Sequence, residues 1–287
     1  MQNEKLKIPE ISETLFIPLA ARADETLRVD GMIRDDKAVE FLKRADTANL
    51  IVSGGSISTM GILARTKIID EETSKILSCA SKAVILNLGA GLDTRYDRIS
   101  RKGVEWYDLD LPETIELRKQ FTGESDLHFI AKSVLDESWT DEIKIEEDDA
   151  VIVIAEGLLM YFEEKDVQKI LRKIAGTFPG ADIFFDAVHP FFINKGISSK
   201  FLWGIDKAKD LEKLDSHIEL VKSWSMGSLL KRRQPWILRM LNILPSTRKR
   251  SQIIHLKIKE AISNSTWEDD KCRALAISKE RRSSKSF

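Results

Sequence analysis

An apolar run, Val84-Ile85-Leu86-Asn87-Leu88, passes directly into Gly89-Ala90-Gly91-Leu92-Asp93-Thr94-Arg95. A strand ending in Gly-x-Gly can bring bare main chain close to a ligand, because glycine has no Cβ and tolerates dihedrals that other residues resist. The main-chain N–H groups of Gly89 and Gly91 would then face the crevice at the carboxyl end of a parallel sheet. The same bend would also serve as a plain strand-to-helix connection, so these residues taken singly leave both readings open. Three residues after Gly91 stands Thr94, where a dinucleotide fingerprint wants Gly or Ala to seat a helix beneath a pyrophosphate, and pyrophosphate binding is therefore disfavoured. About 20 residues beyond the turn, where a ribose would lie, come Asp108 and Asp110 in Trp106-Tyr107-Asp108-Leu109-Asp110-Leu111-Pro112. A carboxylate there accepts hydrogen bonds from both ribose hydroxyls. Asp110 could also cap a helix opening at Pro112, and Asp93 with Arg95 could form a structural ion pair at the mouth of the turn.

A second acid, Glu156, emerges from the apolar run Ile152-Val153-Ile154-Ala155 and leads into Gly157-Leu158-Leu159-Met160-Tyr161-Phe162. Burying it unpartnered is expensive, and either a cationic sulfonium ligand bearing an ammonium group or an arginine, with Arg22 and Arg65 available, would offset that cost. The ligand is the favoured reading of the two. Met160 and Tyr161 fit core packing better than a pocket wall. His189, in Asp186-Ala187-Val188-His189-Pro190, is the histidine placed to line an acceptor site and act as a base; it fits a solvated loop equally well.

These residues need a sheet to bring them together, and the pattern supplies one. Short apolar, β-branched runs at 83–88, 104–109, 127–131, 150–155 and 181–188 alternate with amphipathic stretches, as in βαβ units with a parallel, doubly wound sheet. Val167, Ile170, Leu171 and Ile174 line one face of a helix that Gly176 and Pro179-Gly180 should stop. Further strands are expected at 217–224 and 252–259, and a helix-like run at 227–244. From residue 14 to about 80 the spacing is helical, broken at 53–56. We divide the chain into a helical cover at 1–80, a core at 81–262 with a substrate-covering region at 190–245, and a tail at 263–287 that reads as disordered beyond 278.

Composition narrows the class. Lys and Arg number 45 against 46 Asp and Glu, so no global field attracts nucleic acid or anionic lipid, and Lys231-Arg232-Arg233 and Arg248-Lys249-Arg250 read as solvated surface. Cys79 and Cys272, far apart and without CxxC or histidine-rich neighbours, give neither a disulfide framework nor a metal site. No apolar stretch reaches spanning length or resembles a signal sequence, and a cytoplasmic protein is expected.

Taken in order, several segments resemble the leucine carboxyl methyltransferase and tetracenomycin-type O-methyltransferase family of class I S-adenosylmethionine enzymes. They are Thr14-Leu15-Phe16-Ile17-Pro18-Leu19-Ala20-Ala21-Arg22-Ala23, Ile33-Arg34-Asp35-Asp36-Lys37-Ala38-Val39-Glu40, the Gly89–Gly91 turn through Arg95, the Asp108–Asp110 segment, Ala155-Glu156-Gly157-Leu158-Leu159-Met160-Tyr161 and Phe178-Pro179-Gly180-Ala181. The resemblance implies an α/β, Rossmann-like fold with a seven-stranded, mostly parallel sheet, an antiparallel final strand, helices on both faces, a helical N-terminal cover and a lid. It implies S-adenosyl-L-methionine as cofactor. Gly89 and Gly91 would lie against it, Asp110 would hold the ribose with Asp108 a further cofactor-binding candidate, and Ser133 with Val134 would flank the adenine. Arg65, with Arg22 as a further candidate, would grip the methionine carboxylate, and Glu156 would face the methionine end. Carboxyl-methylating members can carry Asp where this chain has Ser133. No metal is implied.

The expected chemistry is in-line methyl transfer to a carboxylate or hydroxyl of a small molecule or peptide, with His189 and Tyr161 as the candidate catalytic groups. A carboxylate is already ionised at neutral pH and needs no base, whereas a phenol or alcohol wants one within reach. The lack of an Asn-Pro-Pro-Tyr segment argues against amine methylation of adenine or glutamine. Two alternatives stand beside this reading. A nicotinamide-dependent oxidoreductase is opposed by Thr94 and by the lack of a Tyr-x-x-x-Lys pair, and an S-adenosylmethionine-binding module without turnover would keep the same residues.

Overall fold

A computed structural model describes residues 13–45, 56–99, 102–123, 125–194, 200–226 and 251–260. Three helices come first, α1 (Glu13–Thr26), α2 (Asp36–Arg44) and α3 (Ser56–Cys79). Then β1 (Ala83–Leu88), α4 (Arg95–Ile99), β2 (Val104–Asp110), α5 (Pro112–Thr122), β3 (Leu127–Ala131), β4 (Ala150–Ala155), α6 (Glu164–Thr177) and β5 (Asp182–Val188) alternate, and β6 (Ile218–Ser225) and β7 (Ser251–Ile258) close the sheet. The seven strands lie in the order β3-β2-β1-β4-β5-β7-β6. β1 to β5 are parallel, and β7 runs antiparallel to both β5 and β6.

Alternating side chains divide the core between the two faces of the sheet. Val84, Leu86 and Leu88 pack with Val151, Val153 and the α6 stripe Val167, Ile170, Leu171 and Ile174. Ala83 and Ile85 pack on the other face with Trp106, Ile152, Ile154 and Ile69 and Leu77 of α3. α1, α2 and α5 share a third cluster built on Phe16, Phe41 and Phe121. Leu92, just past the glycine turn, belongs to this cluster, so the helical cover is packed onto the turn itself.

The strands fall within a residue of the sequence expectation. Gly176 does not stop α6, which continues to Thr177 and ends at Phe178, whose N–H donates to the Ile174 carbonyl. The expected run at 227–244, residues 53–55 of the expected break at 53–56 and the tail lie outside the described residues, and Ser56, the last residue of that break, opens α3 instead. No helix among the described residues is long and apolar enough to cross a membrane.

Away from the carboxyl edge, Asp182 at the start of β5 accepts from His255 Nε2 at 2.6 Å and from Lys257 Nζ at 2.8 Å, and His255 stacks on Phe184. Burial alone would raise this carboxyl, but the His255 hydrogen bond and the Lys257 charge outweigh it and hold it below its usual 3.8. A depressed carboxyl stabilises the fold above the unfolded-state value, and that contribution is lost as pH falls through the folded-state value. Asp182→Asn is therefore expected to lower the urea midpoint at pH 7, with the difference from the parent protein shrinking as pH drops below the usual carboxylate range. A pH-independent difference would rule out the ionic contribution.

Candidate active site

The strand order reverses between β1 and β4, and this is where an open α/β sheet leaves a crevice beyond its carboxyl ends. Gly89 leaves β1 there with φ 64°, a dihedral that calls for glycine, and a Cβ would sit 2.6 Å from Leu158 Cδ1, so that side chain would also have to move. The Gly89 and Ala90 N–H groups donate to the Leu109 carbonyl of β2, at 2.8 and 3.1 Å. Gly91 N–H donates to Asp110 Oδ2 at 2.8 Å, and Leu111 N–H donates to Oδ1 at 2.7 Å. Burial outweighs these hydrogen bonds and raises the Asp110 carboxyl above its usual value. Asp110 thus joins the turn to the start of α5, whose cap residue, Leu111, has no side-chain cap.

Asp108 lies two residues deeper in β2 and is fully buried. Asn87 Nδ2, Trp106 Nε1 and Arg118 Nε donate to it at 2.8, 3.1 and 2.7 Å, and Arg118 also donates to the Gly91 and Asp93 carbonyls. It is committed to holding α5 and the turn from beneath, and of the two acids only Asp110 is placed at the crevice.

Behind the turn stands an ion network. Arg95, with no exposed surface, donates to Asp70 at 2.6 Å and also to Asp93 and Glu156. Arg98 reaches Asp70 and Asp35 at 2.7 and 2.8 Å. Arg22, also buried, donates to Asp35 at 2.8 Å and to the Leu92 carbonyl at 3.2 Å, so it pins the cover to the turn. Burial alone would raise Asp93, but Arg95 and Arg98 drive it well below the ordinary carboxylate range. The structural pairing of Asp93 with Arg95 is present. Glu156 has two arginine partners, Arg95 at Oε2 and Arg65 Nε at Oε1, the latter at 2.9 Å.

Arg65 comes from α3 and is gripped from two strands, by Glu156 after β4 and by Asp186 of β5, the latter 3.0 Å from Nη1. Burial alone would lower its pKa, but Asp186 and Glu156 outweigh burial, and the guanidinium stays charged. Its flank lies against Gly157, which has φ 68° and where a Cβ would be 3.0 Å from Nη2. Asp186 was not singled out in the sequence, although an acid within Phe184-Phe185-Asp186-Ala187-Val188 is the same signal that drew attention to Glu156.

Ser133 and Val134 follow β3. Ser133 Oγ accepts from Leu135 N–H at 3.2 Å, and the buried Val134 passes its carbonyl to the Trp139 indole N–H at 3.1 Å. His189 has both ring nitrogens engaged: Nδ1 accepts from Phe191 N–H at 3.1 Å, and Nε2 lies 3.3 Å from Asp206 Oδ1. Tyr161 packs at a tilt against Phe201, with ring centroids 5.7 Å apart and planes 48° from parallel. Burial raises its phenol, Arg65 opposes and Asp186 adds to the rise, so the net direction is up. The 200–205 segment is strapped across this edge, with Leu202 N–H donating to the Met160 carbonyl and Ile205 N–H to the Val188 carbonyl, at 2.8 and 2.9 Å. Tyr161, which lies near Arg65, and Leu202, which is strapped to the neighbouring Met160, keep 42% and 43% of their surface exposed and leave apolar surface at this edge. No group of metal-ligating side chains occurs among the described residues.

A family model described as Leucine carboxyl methyltransferase matches residues 16–175. The tetracenomycin polyketide synthesis O-methyltransferase TcmP of Streptomyces glaucescens is 30% identical over 234 residues, which is 78% of this chain and 86% of that protein. Similar solved structures include an S-adenosylmethionine dependent methyltransferase from Mesorhizobium loti, with TM-score 0.48, 12% identity and coverage of 68% of this chain and 98% of that one. N-methyltransferase NodS from Bradyrhizobium japonicum in complex with S-adenosyl-l-homocysteine aligns with TM-score 0.46 and 10% identity, over 85% of this chain and 99% of that one.

Proposed function

This chain belongs to the leucine carboxyl methyltransferase family and is an S-adenosylmethionine-dependent methyltransferase, and from that premise we propose that it methylates a carboxylate oxygen of a small molecule. The cofactor supplies an electrophilic methyl group on a sulfonium. The charges at the crevice suit that group: guanidiniums from Arg65, Arg95 and Arg98 stand among carboxylates from Asp70, Asp93, Asp110, Glu156 and Asp186, so the acids are in excess. A ligand with net positive charge offsets that excess and relieves the cost of burying Asp110 and Asp186, both raised from their ordinary value by burial.

In this reading Gly89 and Gly91 give the cofactor bare main chain, Asp110 takes its ribose hydroxyls, and Ser133 and Val134 flank its adenine. Arg65 binds its carboxylate through the Nη2 edge, and Glu156 faces its methionine end while holding Arg65. Arg22 pins the cover instead of binding the carboxylate itself. The Tyr161 ring and Leu202 offer the surface against which the acceptor is oriented.

The observation that carries the carboxylate assignment is the state of the two candidate catalytic groups. The His189 lone pair is taken by Phe191 N–H, and the Tyr161 phenol, whose ordinary pKa is already well above neutral and is raised further by burial, stays protonated at neutral pH. Neither is placed to remove a proton, and an acceptor already ionised at neutral pH needs none removed. The test is incubation with methyl-labelled cofactor and a panel of small carboxylic acids, phenols and peptides. Label released by mild base as methanol from a small carboxylic acid is the expected result. Base-stable label on a phenol, or label on peptides alone, contradicts the assignment.

A further inference from the structure

We infer that Asp186 is a positioning residue for cofactor binding, setting the guanidinium of Arg65 so that its free edge meets the cofactor's carboxylate. The inference rests on the proposed role of Arg65. An arginine side chain has four rotatable bonds, and fixing its plane takes more than one partner. Glu156 holds only Nε, which leaves the distal end free to swing about that contact. Asp186 supplies the second anchor at Nη1, from the neighbouring strand β5. Its other oxygen, Oδ1, accepts the N–H of Gly157, the residue against which the guanidinium lies. One carboxylate therefore fixes both Arg65 and the turn that shapes its slot. With Nε and Nη1 committed, Nη2 is the remaining donor edge, and the Arg65 side chain keeps 16% of its surface exposed. Asp186 itself keeps 3%, too little to meet a ligand directly, so it acts through Arg65.

The test compares affinities for S-adenosylhomocysteine, which carries the amino-acid end, with those for adenosine, which lacks it, measured by calorimetry on the full chain. Asp186→Asn keeps an oxygen for Gly157 but turns an amide towards Arg65. It is expected to weaken S-adenosylhomocysteine binding by about 10- to 100-fold while adenosine affinity stays within about twofold, the size of effect that misplacing one charge-assisted hydrogen bond produces. A parallel loss for both ligands, or no loss for either, overturns the inference. If the single variant does not fold, Arg65→Gln/Asp186→Asn, which removes both charges of the pair, is compared with Arg65→Gln. Equal affinities are expected because Asp186 works through Arg65, and a further loss in the double variant overturns it. Arg65→Gln also separates the two claims: unchanged S-adenosylhomocysteine affinity in that variant removes the Arg65 role itself, whereas a loss there with none in Asp186→Asn removes only the role of Asp186.

Discussion

Arg95→Met is expected to destabilise the protein by about 3–5 kcal/mol, the usual cost of leaving buried charges without their partner. Arg95 is fully buried and serves three carboxylates, Asp70, Asp93 and Glu156, contributed by α3, the glycine turn and the end of β4. Methionine fills similar space without offering a single donor. Asp70 keeps Arg98 and Glu156 keeps Arg65, so the loss falls most heavily on Asp93, whose remaining arginine contact, Arg98, is at 3.6 Å. The pH dependence has a definite sign. Asp93 is depressed in the folded state, so its contribution is present above the unfolded-state pKa and disappears as pH falls through the folded-state value. In the variant that depression shrinks, and the acid limb of the unfolding curve flattens. Urea unfolding at neutral and acid pH reads both effects, and a change within the roughly 0.5 kcal/mol of ordinary surface substitutions would show that the network carries no stability.

Asp110→Ala is expected to weaken S-adenosylhomocysteine binding by about 1–3 kcal/mol, the cost of losing a hydrogen-bonding charged group. The folded protein without ligand keeps this carboxylate at a disadvantage, since burial raises it even though Gly91 and Leu111 donate to it. The same variant also leaves the Gly91 and Leu111 N–H groups without their acceptor, so a modest drop in the urea midpoint should accompany the lost affinity, and titration calorimetry beside an unfolding curve separates the two. Loss of stability with unchanged affinity would assign Asp110 to the scaffold.

Much of this arrangement was legible in the residues. β-branched runs between amphipathic stretches announced the parallel strands, because a strand buried on both faces has no polar alternation to disguise it, as the burial of all six residues of β1 shows. Gly89 was legible for the same kind of reason, since a turn of positive φ strains any residue that carries a Cβ. Depth along a strand was not legible. Asp108 and Asp110 share a face, and only the position of Arg118 on α5 shows that the first is consumed inside the fold. Long-range partners were equally hidden. Glu156 had Arg22 or Arg65 as possible arginine partners, but its pairing with Arg95 depends on how α4 docks behind the turn, and Arg22 is drawn instead to Asp35. Gly176 misled as a helix stop because main-chain hydrogen bonding carries the helix one residue past it, to Thr177, before Phe178 N–H closes it on the Ile174 carbonyl.

The claim on which the site depends is that the glycine turn and the acids around it form a pocket for a sulfonium cofactor and its spent form. Calorimetric titration of the unmodified chain with S-adenosylhomocysteine, beside NAD at the same concentrations, tests it most directly. Saturable one-to-one binding of S-adenosylhomocysteine with no heat from NAD is the predicted result, and saturable uptake of NAD by a folded sample that ignores S-adenosylhomocysteine would contradict it.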